Sequence, residues 1–188
     1  MSAPPSSSIT FLPLDLNRWD SGPGGDAVVV PVWADIRPLR GAAGLLDWRL
    51  CGRLSQMIRD GRVAGSPNEK LLLSSSRIPW KRILAIGLGE TADFSEETYR
   101  ETIVCILKAL HGIGASTAAI ALPGRDIDRI PAEHALREFA SALATNQQEN
   151  GTWLKAATII DAPSAIKAMA EVVRTLEAAA PSAIDTVT

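Results

Sequence analysis

The sequence predicts an α/β fold built on a mixed sheet of about six strands. Three observations predict it. Lys81-Arg82-Ile83-Leu84-Ala85-Ile86-Gly87-Leu88-Gly89-Glu90 holds a short run that is apolar on both faces and breaks at paired glycines. An amphipathic helical pattern follows, and a buried strand, a glycine turn and a helix form the core of an α/β unit. Asp26-Ala27-Val28-Val29-Val30-Pro31-Val32-Trp33 is a second run, β-branched and apolar on both faces, hence a central strand. Lys70–Ser75 lies just before the run at 81–87, so the two read as neighbouring antiparallel strands and the sheet as mixed.

The elements follow in order. Residues 9–16 read as a first strand, placed at a sheet edge because Pro13 cannot donate to a ladder. Residues 17–25 end in Ser21-Gly22-Pro23-Gly24-Gly25 and read as a loop. After the strand at 26–33, Leu46, Leu50, Leu54 and Met57 or Ile58 recur at helical spacing, which predicts one helix over 42–59 closed by Gly61. Residues 61–69 form a loop, and Ser74 to Trp80 turns the chain into the strand at 81–87. A helix over 95–111 takes Asp93 or Ser95 as its cap and buries Tyr99, Ile103, Ile106 or Leu107, and Leu110. Thr117–Leu122 is a strand closed by Pro123-Gly124. A helix covers 131–144, Asn146–Gly151 reads as a polar loop, Leu154–Ile160 as a sixth strand, and 164–179 as a last helix capped by Ser164. The domain organisation is a disordered leader over 1–8, a single domain over 9–180 and a tail over 181–188.

Composition narrows the function classes. The chain has 188 residues, 46% of them hydrophobic, enough for one domain with a real core. The formal charge of −2 forces neither a nucleic-acid nor a membrane reading. The distribution is uneven: residues 37–82 carry ten Lys or Arg against Asp47, Asp60 and Glu69, a net of +7. Residues 1–36 net −3 and residues 83–188 net −6. Cys51 and Cys105 fall within helical patterns and make no disulfide framework. No apolar run is long enough for a membrane span and no secretory signal opens the chain, so a cytoplasmic location is the expectation.

Each candidate for chemistry has a plainer reading beside it. Gly87-Leu88-Gly89-Glu90-Thr91-Ala92 matches the dinucleotide pattern, but its helix opens several residues late. Glu90 and Asp93 also place negative charge where a pyrophosphate would sit, which favours a structural turn. His111 and His134 lie on different elements with no ligand spacing, so no metal and no cofactor is expected. Asp126 and Asp128 form an acidic loop pair, a type that usually only solvates. Among the five tryptophans, Trp33, Trp80 and Trp153 flank strands and read as wedges between sheet ends and helices. Arg49 and Arg53 are like charges at i,i+4, mildly unfavourable unless something acidic lies across them.

The order of elements resembles a known family. Asp26-Ala27-Val28-Val29-Val30 is similar to the opening strand of the N-terminal domain of leucyl aminopeptidases, the M17 metallopeptidases. A helix with Leu45-Leu46-Asp47 and Leu54-Ser55 follows as in that domain. Lys81 to Gly89 resembles its K-R-h-h-h-h-G-L-G strand and turn, and Phe94-Ser95, Glu97, Arg100 and Ala121-Leu122-Pro123-Gly124 continue in register. Two departures stand out. Glu90 replaces the lysine that often follows G-L-G, and Val63 to Glu69 is all that remains of an F-x-G-K-x-G-E type segment. The resemblance covers roughly 9–180 and implies a macro-like, three-layer α/β/α fold.

It also implies where catalysis does not lie. The family's two-metal centre belongs to a C-terminal domain, and its N-T-D-A-E-G-R-L motif occurs nowhere in these 188 residues. The expectation is therefore a stand-alone, non-catalytic module that acts by protein interaction: self-association, docking on a peptidase chain, or regulation of a partner. Two alternatives remain open. One is small-ligand binding of the ADP-ribose or nucleotide kind near Trp33, Asp35, Gly87 and Gly89. The other is nucleic-acid binding through Arg40, Arg49, Arg53, Arg59 and Arg62.

Overall fold

The computed structural model describes residues 7–74 and 76–178. Six strands form one sheet in the order β1-β6-β5-β2-β4-β3. They are β1 (Ser8–Pro13), β2 (Gly25–Trp33), β3 (Lys70–Ser74), β4 (Trp80–Gly89), β5 (Thr117–Ala121) and β6 (Ala156–Asp161). All neighbours pair in parallel except β3, which runs antiparallel along β4 at one edge. The sheet is thus mixed, β1 is the other edge, and β2 is central between β5 and β4.

Six helices cover the two faces: α1 (Leu16–Asp20), α2 (Gly41–Arg49), α3 (Arg53–Arg59), α4 (Glu96–Gly112), α5 (Ala132–Asn150) and α6 (Pro163–Ala178). Side chains alternate across each central strand, so β2 feeds two cores. Ala27, Val29 and Trp33 meet Tyr99, Ile103, Leu136, Phe139 and Met169 under α4, α5 and α6. Val28, Val30 and Val32 meet Trp19, Ala42, Leu46 and Leu54 under α1, α2 and α3. This is a three-layer α/β/α arrangement, and burial on both faces is why β2 and β4 read as continuous apolar runs.

The structure departs from the sequence reading at several boundaries, each for a local reason. Residues 14–16 do not extend β1. The Asp15 carboxylate accepts the N–H groups of Asn17 (2.8 Å) and Arg18 (3.1 Å) and caps α1 where a loop is expected. Trp19 on α1 is buried and meets Trp80 edge-on, with centroids 5.6 Å apart. The single helix over 42–59 is two helices. Cys51 (φ 55) and Gly52 (φ 78) are both left-handed, which stops α2, and Asp47 starts α3 by accepting Leu54 N (2.8 Å) and Ser55 N (3.1 Å). Cys51 is therefore exposed at a helix break, and Cys105 is half-buried in α4.

At the other boundaries, α4 is capped by Ser95 in a capping box with Thr98. The expected polar loop at 146–150 is the last turn of α5, where buried Gln147 donates to Ser7 Oγ (2.6 Å) and Leu154 O (3.1 Å). The sixth strand starts at Ala156, two residues late, and α6 begins at Pro163. Strand β4 does not stop at Gly87 but runs through Gly89. Ser8 opens β1; residues 1–6 of the expected leader and the tail over 181–188 lie outside the described residues. Among the described residues, no helix is long and apolar enough to cross a membrane.

Candidate functional site

A cavity of about 460 Å³ opens at the carboxyl ends of β1, β6, β5 and β2. Its position follows from the connections. The chain leaves β2 toward α2 and leaves β5 toward α5, on opposite faces, so the two loops splay apart and leave a crevice. Residues after β2 supply Arg40 and Gly41; residues after β5 supply Arg125, Asp126 and Asp128; the end of β6 supplies Asp161.

The charged side chains here hold one another. Arg125 Nε lies 2.9 Å from Asp161 Oδ2, with the two side chains 11% and 7% exposed. The same guanidinium donates to Ile130 O (2.6 Å) and lies 3.4 Å from Asp128 Oδ1. The Asp161 carboxylate also accepts Ala162 N at 2.7 Å. A pair this buried is held by geometry and added hydrogen bonds; its desolvation offsets most of its attraction. Asp126 accepts the Trp33 indole N–H at 2.9 and 3.1 Å. Burial pushes the Asp126 carboxyl above the usual range, against the Trp33 N–H and the nearby Arg40 and Arg125 charges. Gly41 (φ +54) sits so close that a Cβ there would lie 2.8 Å from Asp126 Cβ. The crevice thus pairs two arginines with three aspartates, of which only Asp128 and Arg40 project from its rim.

The four residues expected near a ligand have structural neighbours. Trp33 is buried edge-on against Phe94, centroids 5.0 Å apart, and floors the crevice through Asp126. Asp35 accepts Thr91 N (3.1 Å) and Thr91 Oγ1 (2.7 Å), tying the end of β2 to the end of β4, and the Thr91 hydroxyl holds its carboxyl below the usual range. Gly87 and Gly89 lie beneath the chain's own loop. A Cβ on Gly87 would meet Ser66 O at 2.0 Å, and one on Gly89 (φ +80) would meet Pro67 Cγ at 2.9 Å. Glu69 fixes that loop by accepting the N–H groups of Ala64 (3.0 Å), Gly65 (2.7 Å) and Ser66 (3.1 Å).

The five arginines do not gather on one patch. Arg40 lines the crevice at the carboxyl end of the sheet. Arg53 lines a separate cavity of about 400 Å³ with Arg77 and Lys81, at the amino end of β4. Arg49 pairs with Asp20 and lies 5.2 Å over the Trp48 ring. Arg59 donates to Gln56 Oε1 at 2.6 Å, and Arg62 is exposed after α3. The sequence reading missed the Arg125–Asp161 pair. The available signal was a charged residue directly behind Pro123-Gly124 at the end of a parallel strand, where crevice residues arise. Among the described residues, no group of three or more His, Cys, Asp and Glu side chains is placed to hold a metal ion.

The profile of the cytosol aminopeptidase family, N-terminal domain, matches residues 29–150. The chain belongs to that family. Its relatives include a probable cytosol aminopeptidase of Pseudomonas syringae, 30% identical over 122 residues, which covers 64% of this chain and 25% of that protein. Another, from Methylobacillus flagellatus, is 36% identical over 98 residues, 52% of this chain and 20% of the relative. The chain thus spans about a quarter or less of the relatives' length, and the matched part is the family's N-terminal domain rather than its catalytic one.

Solved structures agree on the fold. A mutant tomato leucine aminopeptidase superposes with a TM-score of 0.59 at 19% identity, over 94% of this chain and 38% of that one. A mutant macrodomain of Oceanobacillus iheyensis gives 0.68 at 14% identity, over 90% and 92%. A Trypanosoma brucei macrodomain in complex with ADP-ribose gives 0.65 at 15% identity, over 91% and 74%. At these identities the likeness establishes a macro-like fold and nothing about the site.

Proposed function

We propose that this cytosol aminopeptidase N-terminal domain works as a non-catalytic module that associates with other polypeptide chains. The supporting observation is Trp48, 65% exposed beside an open groove of about 670 Å³. A tryptophan left in solvent next to apolar surface is the residue type that most often anchors a protein interface. Trp48 has no structural use inward: the core under α2 is made by Ala42, Ala43 and Leu46. The first two partners to test come from the family itself: a peptidase chain and a second copy of this module. Mixing the purified chain with a full-length cytosol aminopeptidase should shift the sedimentation of both. Hydrolysis of leucine-p-nitroanilide by the purified chain with added manganese or zinc would overturn the non-catalytic reading.

A second reading, small-ligand binding, rests on the crevice at the carboxyl ends of β2 and β5. Its three aspartates against two arginines disfavour a pyrophosphate. Calorimetry with ADP-ribose and ATP decides; micromolar binding that Arg40→Ala, at the exposed rim, abolishes would establish this reading instead. The nucleic-acid reading through the five arginines calls for retention that falls steeply with salt.

A further inference from the structure

The two edges of the sheet end differently. Strand β1 runs into Pro13, which has no N–H to offer, whereas β3 at the other edge is Lys70-Leu71-Leu72-Leu73-Ser74, with no proline. The side chains of β3 alternate. Leu71 and Leu73 pack against the core under α2 and α3, while Lys70, Leu72 and Ser74 face solvent, Leu72 at 47% exposure. The main chain alternates as well. Asn68 (φ 59) donates to Gly87 O (2.9 Å) and Gly87 donates to Glu69 O (2.8 Å), the pattern of a bulge with a left-handed first residue. Glu69 therefore enters the ladder as a hydrogen-bonded partner of Gly87. The bonded positions that follow are Leu71 opposite Ala85 and Leu73 opposite Ile83. The N–H and C=O groups of Lys70, Leu72 and Ser74 point the other way, off the open edge. Among the described residues, no hydrogen bond from outside the β3–β4 pair reaches them.

We propose that two copies of this chain pair through β3, antiparallel about a two-fold axis at Leu72, so that the sheet continues from one copy into the next. The register argues for a second copy, because this strand is its own complement. With Leu72 opposite Leu72 of the second copy, Lys70 falls opposite Ser74 and Ser74 opposite Lys70. Every outward N–H and C=O then finds a partner, no like charges stand directly opposite, and the two exposed leucines cover each other. A register moved by two residues leaves Lys70 or Ser74 without a strand partner and takes the leucines apart. The contact is isologous, so it closes as a dimer. Lys70, and Arg82 opposite Ser74 on β4, put positive charge on both sides of the seam, although the Arg82 guanidinium is turned to Ile113 O. Main-chain bonds and leucine, rather than charge, hold the pair. This surface is not the Trp48 groove, so the pairing goes beyond the association read from that side chain and can fail without it.

The test is sedimentation velocity of the purified chain from about 5 to about 500 µM, the range in which small interfaces associate. The wild type should pass from monomer to dimer, and raising NaCl from about 0.05 to about 0.5 M should not weaken the dimer. Hydrogen exchange at the upper concentration should slow at Lys70, Leu72 and Ser74 and stay unchanged at Leu71 and Leu73, which already bond to β4. Leu72→Pro removes only an outward N–H, so it should keep the ladder to β4 and weaken the dimer at least about tenfold. Leu72→Lys keeps every main-chain donor, sets like charges opposite each other and should do the same. Both should retain the wild-type circular dichroism spectrum, and Trp48→Ala should dimerise as the wild type does. A wild type that stays monomeric across the series overturns the pairing, as does a dimer that both Leu72 variants retain or an assembly larger than a dimer. A monomer here leaves the binding of a full-length aminopeptidase to its own mixing experiment.

Discussion

Replacing Gly87 by alanine tests whether the glycine pair serves the chain itself rather than a ligand. The Cβ would sit 2.0 Å from Ser66 O and 2.7 Å from Gly65 C, both backbone atoms, so the loop over 63–69 has to lift. Lifting it strains or breaks three backbone hydrogen bonds: Gly87 N to Glu69 O (2.8 Å), Asn68 N to Gly87 O (2.9 Å) and Gly89 N to Gly65 O (2.8 Å). At about 1 kcal/mol each, their loss costs about 3 kcal/mol. Fitting a methyl against backbone adds up to about 1 kcal/mol if the loop yields only in part. Urea unfolding at pH 7, at constant slope, should show this loss as a lower midpoint. Hydrogen exchange should rise at Gly87 and Gly89 and stay unchanged in α5, where a distant core helix reports global effects. A variant within about 0.5 kcal/mol of wild type, with Gly87 and Gly89 still protected, would refute the claim that close packing of the loop selects glycine here.

Three further outcomes are expected. Asp26 accepts Lys81 Nζ (2.9 Å), Ser116 N and Oγ (2.9 Å each) and Thr117 N (3.2 Å), and the Lys81 and Ser116 bonds hold its carboxyl far below the usual range. A depressed pKa stabilises the fold above the ordinary aspartate value and is lost as pH falls through the folded one. The stability gap between wild type and Asp26→Asn should therefore shrink by about 1 kcal/mol from pH 7 to pH 3, and a gap that does not change with pH contradicts it. At Asp126, asparagine keeps an acceptor for the Trp33 indole and removes a charge that burial disfavours, so Asp126→Asn should fall within about 0.5 kcal/mol of wild type or above it. Asp126→Ala leaves that N–H unpaired and should lose about 1–2 kcal/mol in thermal melts; a loss at Asp126→Asn as large as at Asp126→Ala would show that the charge itself is needed. Asp161→Ala strands the Arg125 guanidinium and should cost about 3 kcal/mol by urea unfolding, whereas Arg125→Met with Asp161→Leu recovers most of it; equal losses would mean the pair is net stabilising.

The regular parts of this fold were readable because periodicity reports burial. Val28 to Val32 and Ile83 to Ile86 are apolar at every position because helices cover both faces of the sheet. The antiparallel β3 was readable from its short separation from β4. What escaped was set by single polar side chains acting across a few residues. Asp15 makes a helix of a loop, and Asp47 ends one helix and starts another without interrupting the leucine spacing. Leu46 and Leu54 are both fully buried although the helix breaks between them, so their period carries no trace of the break. The crevice was half readable. Asp126 and Asp128 stood out as an acidic loop, but that Asp126 lies under Trp33 depends on a contact between residues 93 positions apart. The arginines were legible as a charge excess and illegible as a surface, because α2 and α3 run between the two ends of the sheet and carry them apart.

The glycine strand also bears on the choice between ligand binding and the proposed association. Three consecutive N–H groups at Ala64, Gly65 and Ser66 form the kind of backbone concavity that binds phosphate in other loops. Here the Glu69 carboxylate fills it, and the loop it fixes lies over Gly87 and Gly89. One crevice away, the Arg125 guanidinium that would meet a ligand's phosphate is spent on Asp161 and Ile130 O. At both places the groups that recognise an anion are satisfied from within, and ligand binding would first have to break those contacts. On the outer helices, by contrast, large apolar side chains are left in solvent: Trp48 on α2 and Val104 on α4. Ligand-type loops closed by the chain's own side chains, together with an exposed Trp48 on the outer helices, support the proposed association over ligand binding in the loops.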